Sequence, residues 1–113
     1  MNAPSRVTLS AALAGLLGLA RRSGQMSGGF EAVRRELNRG RVVLVLVDEE
    51  LSSNTLSKLS GPAAAAGVPI VTVLAAPGQP GLQRQFGKKI LGIHVGSMAD
   101  GIVNKLKQEH QWR

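Results

Sequence analysis

The sequence predicts a three-layer α/β/α sandwich with a small mixed central sheet, and three observations carry that prediction. Two runs, Val42-Val43-Leu44-Val45-Leu46-Val47 and Pro69-Ile70-Val71-Thr72-Val73-Leu74, are aliphatic almost without a break, as in strands covered on both faces. Around them, apolar residues recur at intervals of three and four, the helical period. The chain has 113 residues, of which 43% are hydrophobic, enough for one core and too few for two.

The elements follow in order. Thr8 or Ser10 is placed to cap a first helix whose apolar positions are Leu9, Leu13, Leu16, Leu17 and Ala20. Arg21 and Arg22 suit its negative end, and Gly24 stops it. A second helix opens after the turn Gln25-Met26-Ser27-Gly28-Gly29. It keeps Phe30, Val33 and Leu37 on one face, turns Glu31, Arg34, Arg35 and Asn38 away, and ends at Gly40. The strand at 42–47 leads to a helix over Ser52–Ala66, and the strand at 69–74 to a short helix near Gly81–Phe86. Gly92-Ile93-His94-Val95-Gly96 reads as a third, weaker strand. A last helix starts at Ser97, with Asp100 spaced for a capping box and Ile102 and Leu106 facing inward. The expectation is one domain over 1–113, with a core at about 8–107 and both ends frayed, Gln108 to Arg113 among them.

Composition excludes several kinds of chemistry. The absence of cysteine removes disulfides, thiolate zinc sites and thiol nucleophiles and fits a reducing, cytoplasmic setting. Leu9–Ala20 lacks a cleavage pattern and is too short for a membrane span, so neither a signal peptide nor a membrane partner is expected. The segment Gly81-Leu82-Gln83-Arg84-Gln85-Phe86-Gly87-Lys88-Lys89 fails as a phosphate loop, with the wrong glycine spacing and Lys89 where a hydroxyl belongs. His94 and His110 have no companion at ligand spacing, so no metal is expected. The acidic group Asp48, Glu49 and Glu50 reads as helix-start charge, and no serine lies in a nucleophile elbow. Neither a catalytic residue, a cofactor nor a small-molecule substrate is indicated.

The charge is the positive signal. The formal net charge is +7, and it is clustered. Residues 21–41 hold Arg21, Arg22, Arg34, Arg35, Arg39 and Arg41 against Glu31 and Glu36, a net +4. Residues 84–89 add Arg84, Lys88 and Lys89 unopposed, while 42–83 are net acidic. Such a field concentrates polyanions. The turn at Gly28-Gly29 brings bare backbone to a helix N-terminus, where unpaired N–H groups attract a phosphate, with Arg34 and Arg35 one turn on. Aromatics make up 3% of the chain, which argues against stacking platforms for single strands.

A set of segments in order, Leu16-Leu17-Gly18-Leu19-Ala20-Arg21-Arg22-Ser23-Gly24, Gly29, Val33, Asn38-Arg39-Gly40, Ser52-Ser53-Asn54-Thr55, Gly67-Val68-Pro69 and Phe86-Gly87-Lys88-Lys89, resembles the kink-turn RNA-binding ribosomal protein family. This is the L-seven-Ae and L-thirty-e type, and the nearest pattern is its short bacterial YlxQ-like branch. The likeness spans about residues 9–107. It implies an α/β/α sandwich that binds sharply bent RNA without catalysis. Carried over by position, the contacts fall on Gly28, Gly29, Phe30, Glu31, Ala32 and Arg35, to which Arg34 is added from the charge pattern. The loop before the third strand contributes Lys88, Lys89, Ile90 and Leu91, with Glu49 and Ser52 to Thr55, notably Asn54 and Thr55, as possible flanking contacts. Two departures stand out: Glu31-Ala32 replaces the family's guanine-reading Asn–Glu pair, and Gly61-Pro62 falls inside a usually unbroken helix, where a kink or restart is expected.

The resulting expectation is a monomeric, cytoplasmic, ribosomal or ribosome-associated protein whose partner is structured RNA, read at a kink-turn-like or internal-loop site. The alternative is a protein-interaction or regulatory module on the same fold with only general RNA affinity. Its mark would be an exposed apolar patch, for which Ile90-Leu91 is a candidate.

Overall fold

A computed structural model describes residues 3–112. In it, strands and helices alternate as β1 (Arg6–Leu9), α1 (Ala11–Arg22), β2 (Met26–Gly28), α2 (Phe30–Asn38), β3 (Val42–Asp48), α3 (Ser53–Ala66), β4 (Ile70–Ala75), α4 (Leu82–Phe86), β5 (Ile90–His94) and α5 (Ser97–Glu109). The sheet order is β1-β4-β3-β5-β2. β1, β4 and β3 run parallel, and β5 and β2 are antiparallel to their neighbours. This is the expected three-layer sandwich with a mixed sheet.

Alternation along β3 divides the core. Leu44 and Leu46 join α1, α4 and α5 on one side through Leu13, Leu17, Leu82, Phe86, Ile102 and Leu106. Val45 and Val47 meet Val33 and Leu37 of α2 and Leu59 and Ala63 of α3 on the other. β3 therefore buries both faces, which explains its uninterrupted aliphatic run; β4, against expectation, buries Val71 and Val73 on one face and leaves Ile70, Thr72 and Leu74 half-buried on the other. A register irregularity between Val42 and Leu44 shifts the start of β3 against β5.

Several elements differ from expectation. Leu9 closes β1, not the first helix, and Ser10 caps α1, its hydroxyl accepting from the Leu13 N–H at 3.1 Å. β1 is a four-residue edge strand with alternating exposure, too short to stand out as a pattern. Residues 26–28, expected to be a turn, form β2 against β5. β5 begins at Ile90 and ends at His94, two residues earlier at each end than the predicted 92–96. α3 is one helix across Gly61-Pro62, without restart. Its N-cap is Ser52, with the side chain accepting from Thr55 N–H. α5 starts at Ser97 with Gly96 as N-cap, and no side-chain capping bond forms, so Asp100 supplies first-turn charge without a capping box. At its other end, α5 runs to Glu109 and Trp112 packs partly against the core. Arg113 lies outside the described residues.

Candidate nucleic-acid interface

The site is built where the second helix meets the sheet. Gly28 ends β2 opposite Leu91 of β5, and the next N–H, that of Gly29, donates to the Ile90 carbonyl at 2.8 Å. Gly29 then takes φ 90° and ψ 160°, a region open essentially to glycine, and the chain swings from strand into helix. Among the described residues no side chain caps α2, so its first-turn N–H groups, at the positive end of the helix dipole, have no side-chain capping oxygen there.

Lys88 lies across this turn. A Cβ placed on Gly28 would stand 2.9 Å from Lys88 Cγ, and one on Gly29 would stand 3.8 Å from Lys88 Cδ and 4.0 Å from its ammonium. The lysine stem thus runs over the two bare glycines with its charge beside the opening of α2. Backbone geometry holds it there. Gly87 ends α4 in a left-handed turn at φ 75°, and the Lys89 carbonyl accepts from Asp48 N–H at 2.8 Å, tying the Lys88–Lys89 segment to the end of β3.

The first basic stretch divides four ways. Arg34 pairs with Glu31 at 3.3 Å on the surface. Arg39 and Arg41 both lie 3.6 Å from the carboxylate of buried Glu36. They sit at the far end of α2, where Arg41 carbonyl receives the Val95 N–H beyond the end of β5, so this part does not join the glycine turn. Arg35 is exposed and, among the described residues, has no acidic partner. Arg21 sits over the ring of Phe86, its guanidinium carbon 5.2 Å from the centroid, an interaction joining the first basic stretch to the second.

The other predicted residues fall as follows. Phe30 is half-buried against the α2–α3 core. Ile90 and Leu91 are strand residues with 3% and 1% exposure, which corrects two expectations: their side chains face the core, and they form no exposed apolar patch. Their backbone still frames the turn through the Ile90 carbonyl. Glu49 accepts from the Ala75 N–H at 2.8 Å, finishing β4. Thr55 serves the α3 cap, where it also receives the Ser52 hydroxyl at 2.9 Å, while Asn54 is exposed in the first turn of α3.

Two polar residues have partners that the sequence reading did not assign. Asp48 is 6% exposed and accepts from Glu50 N–H at 2.9 Å and from Gln83 N–H at 3.1 Å. It is a helix-start carboxylate as expected, but for α4 rather than α3. His94 Nε2 lies 2.6 Å from Ser27 Oγ, a cross-strand polar link between β5 and β2. Among the described residues no cluster of His, Cys, Asp and Glu is arranged to hold a metal, and no helix is long and apolar enough to cross a membrane.

Together these features define a small basic α/β/α sandwich with a bare glycine turn, an uncapped helix start and solvent-facing cations at one corner of its sheet. No family model and no curated protein matches the chain. Solved structures share its fold. A Bacillus halodurans protein of unknown function has 25% identity and a TM-score of 0.70, covering 87% of this chain and 99% of its own. The 15.5 kD RNA binding protein of Giardia lamblia has 19% identity and a TM-score of 0.65, with 90% of each chain covered. An archaeal translation termination factor matches at 23% identity and TM-score 0.53 over 71% of this chain; the match spans 23% of that factor.

Proposed function

We propose that this protein is a non-catalytic RNA-binding protein of the cytoplasm, ribosomal or ribosome-associated, that recognises a bent or internal-loop RNA of kink-turn type. The observation that carries the reading is the position of Lys88 over Gly28 and Gly29, at the uncapped start of α2. Bare backbone, helix-end N–H groups and an ammonium converge there, as a close-approaching phosphate requires. Arg35, in the last turn of α2 and without an acidic partner among the described residues, adds a fork suited to phosphate or a guanine edge. RNA is read mainly where its helix is interrupted, since A-form grooves hide base edges. The fold shared with the Giardia RNA binding protein agrees with this reading.

In this reading Gly28, Gly29, Glu31, Arg35, Lys88 and Lys89 meet RNA directly. Phe30, Ile90 and Leu91 support them from behind, and Asn54 stands at the flank. Glu31, at the position where the family reads guanine, also pairs with Arg34 at 3.3 Å. The protein acts as a monomeric single domain and needs no cofactor.

Titration with a kink-turn hairpin and with the same hairpin lacking its G·A pairs tests the reading. Tighter binding of the intact hairpin, with affinity falling steeply as salt rises, is expected. Equal weak binding of both would remove the kink-turn specificity, and no binding of either would overturn the RNA assignment.

A further inference from the structure

The two arginines that end α1 point to different places. Arg22 turns back along its own helix, its Nη1 3.3 Å from where a Cβ on Gly18 would stand. Arg21 sits over Phe86 at 5.2 Å, exposed to solvent and, among the described residues, without an acidic partner. Phe86 is 9% exposed and part of the core, so it is a fixed seat. The last turn of a helix favours a cation of any kind, which accounts for two basic residues there but not for one of them lying over a ring contributed by α4.

That ring belongs to the segment that carries Lys88. Phe86 ends α4, Gly87 turns the chain, and Lys88 follows over Gly28 and Gly29. Within three residues this segment holds one cation drawn from α1 and presents another of its own. The cation–π contact with the ring restricts the rotamers of Arg21, and its N–H groups make no side-chain ion pair among the described residues. A planar fork ordered in advance matches a phosphate and loses less entropy on binding it.

We infer that Arg21 is a further phosphate-binding residue of the RNA surface and that Phe86 is the residue that positions it. The surface then extends from the glycine turn across the Phe86–Lys88 segment to the end of α1. This rests on the RNA-binding reading above.

The test measures affinity for the kink-turn hairpin across a salt series, with melting temperature followed in parallel, for Arg21→Ala, Arg21→Lys, Phe86→Leu, the Arg21→Ala/Phe86→Leu double variant and Arg35→Ala. Arg21→Ala is expected to weaken binding about three- to tenfold and to lower the slope of log affinity against log salt by about one, as loss of one phosphate contact does. Arg21→Lys keeps the charge without the planar fork and should recover only part of the loss. Phe86→Leu should weaken binding in the parent but add little in the Arg21→Ala background, a coupling that general destabilisation does not produce. Wild-type affinity in Arg21→Ala overturns the inference even if Phe86→Leu fails to fold. Equal losses from Phe86→Leu in both backgrounds overturn the positioning role. If Arg35→Ala loses affinity while Arg21→Ala does not, the RNA reading stands and this extension falls; if the wild-type protein binds no RNA, both fall.

Discussion

Gly28 and Lys88 are in contact so close that a β-carbon on the glycine would stand 2.9 Å from the lysine Cγ. The clash falls on the root of the lysine stem and not on its mobile end, so a rotation at the ammonium cannot relieve it. Gly28→Ala therefore forces Lys88 into another rotamer. The cost to stability is small, about 1 kcal/mol, because Lys88 is exposed and free to move outward. The cost to RNA binding should equal that of Lys88→Ala, since both remove the ammonium from the start of α2. Thermal melts and hairpin titrations of the two variants check this; full RNA affinity in Gly28→Ala would show that the position of Lys88 does not matter.

Arg35 and Arg6 form a matched pair for testing where RNA binds. Both are exposed arginines, but Arg35 lies in the last turn of α2, the helix that follows β2, and Arg6 lies on β1, the opposite edge of the sheet from β2. Arg35→Ala should weaken hairpin binding about tenfold and reduce the salt dependence by about one phosphate contact. Arg6→Ala removes the same charge from the long-range field and should change affinity less than twofold, because exposed charges beyond a Debye length are screened. Equal effects in filter binding would mean that net charge alone drives association.

Asp48 stabilises the end of the sheet on which the basic loop rests. Its two oxygens accept from Glu50 and Gln83 N–H groups, and its own N–H holds the Lys89 carbonyl. Asp48→Ala leaves two partly buried donors unpaired at a cost of about 2 kcal/mol, or roughly 8 °C in Tm for a domain of this size. Asp48→Asn keeps the shape and one accepting oxygen and should lose about half as much. Calorimetry of both variants decides it: an unchanged Tm in Asp48→Ala would mean that the two N–H groups are satisfied by water.

What the sequence made legible, and what it hid, follows from how local each signal is. The aliphatic runs of β3 and β4 announce strands, buried on both faces in β3 and on one in β4, and helical periodicity with Ser10, Gly24 and Gly40 marks helix ends. β1 and β2 span four and three residues and exist because β4 and β5 supply their partners, which no local pattern reveals. The same limit misplaced Ile90 and Leu91. After two lysines and before a glycine they read as loop, yet pairing with Val47 and Leu46 draws them into the sheet. At the site, Gly28, Gly29 and the basic stretches were visible from composition and turn chemistry. The pairing that divides those charges was only partly visible: Arg34 with Glu31 lies within one helical turn, while Arg21 and Phe86 meet only through the tertiary fold.

Glycine-to-alanine substitution should have opposite effects at two positions, one inside α3 and one at the start of α2. At Gly61 an added Cβ has open space around it, and the residue sits within a helix that also carries Pro62. Alanine there removes unfolded-state freedom and improves helix propensity, so Gly61→Ala should raise stability by about 0.5–1 kcal/mol. It lies away from the glycine turn and should leave hairpin affinity unchanged. At Gly29 the backbone sits at φ 90°, where a β-carbon strains the chain whatever the space around it, so Gly29→Ala should cost about 1–3 kcal/mol. That strain pulls the start of α2 away from the Ile90 carbonyl, so the variant should also bind RNA more weakly under conditions where it remains fully folded. Urea unfolding of both variants, followed by titration of the folded proteins, measures each part. A Gly29→Ala protein as stable as wild type would show that the chain can turn into α2 without the glycine-only conformation, and the geometry proposed for the phosphate would fall with it.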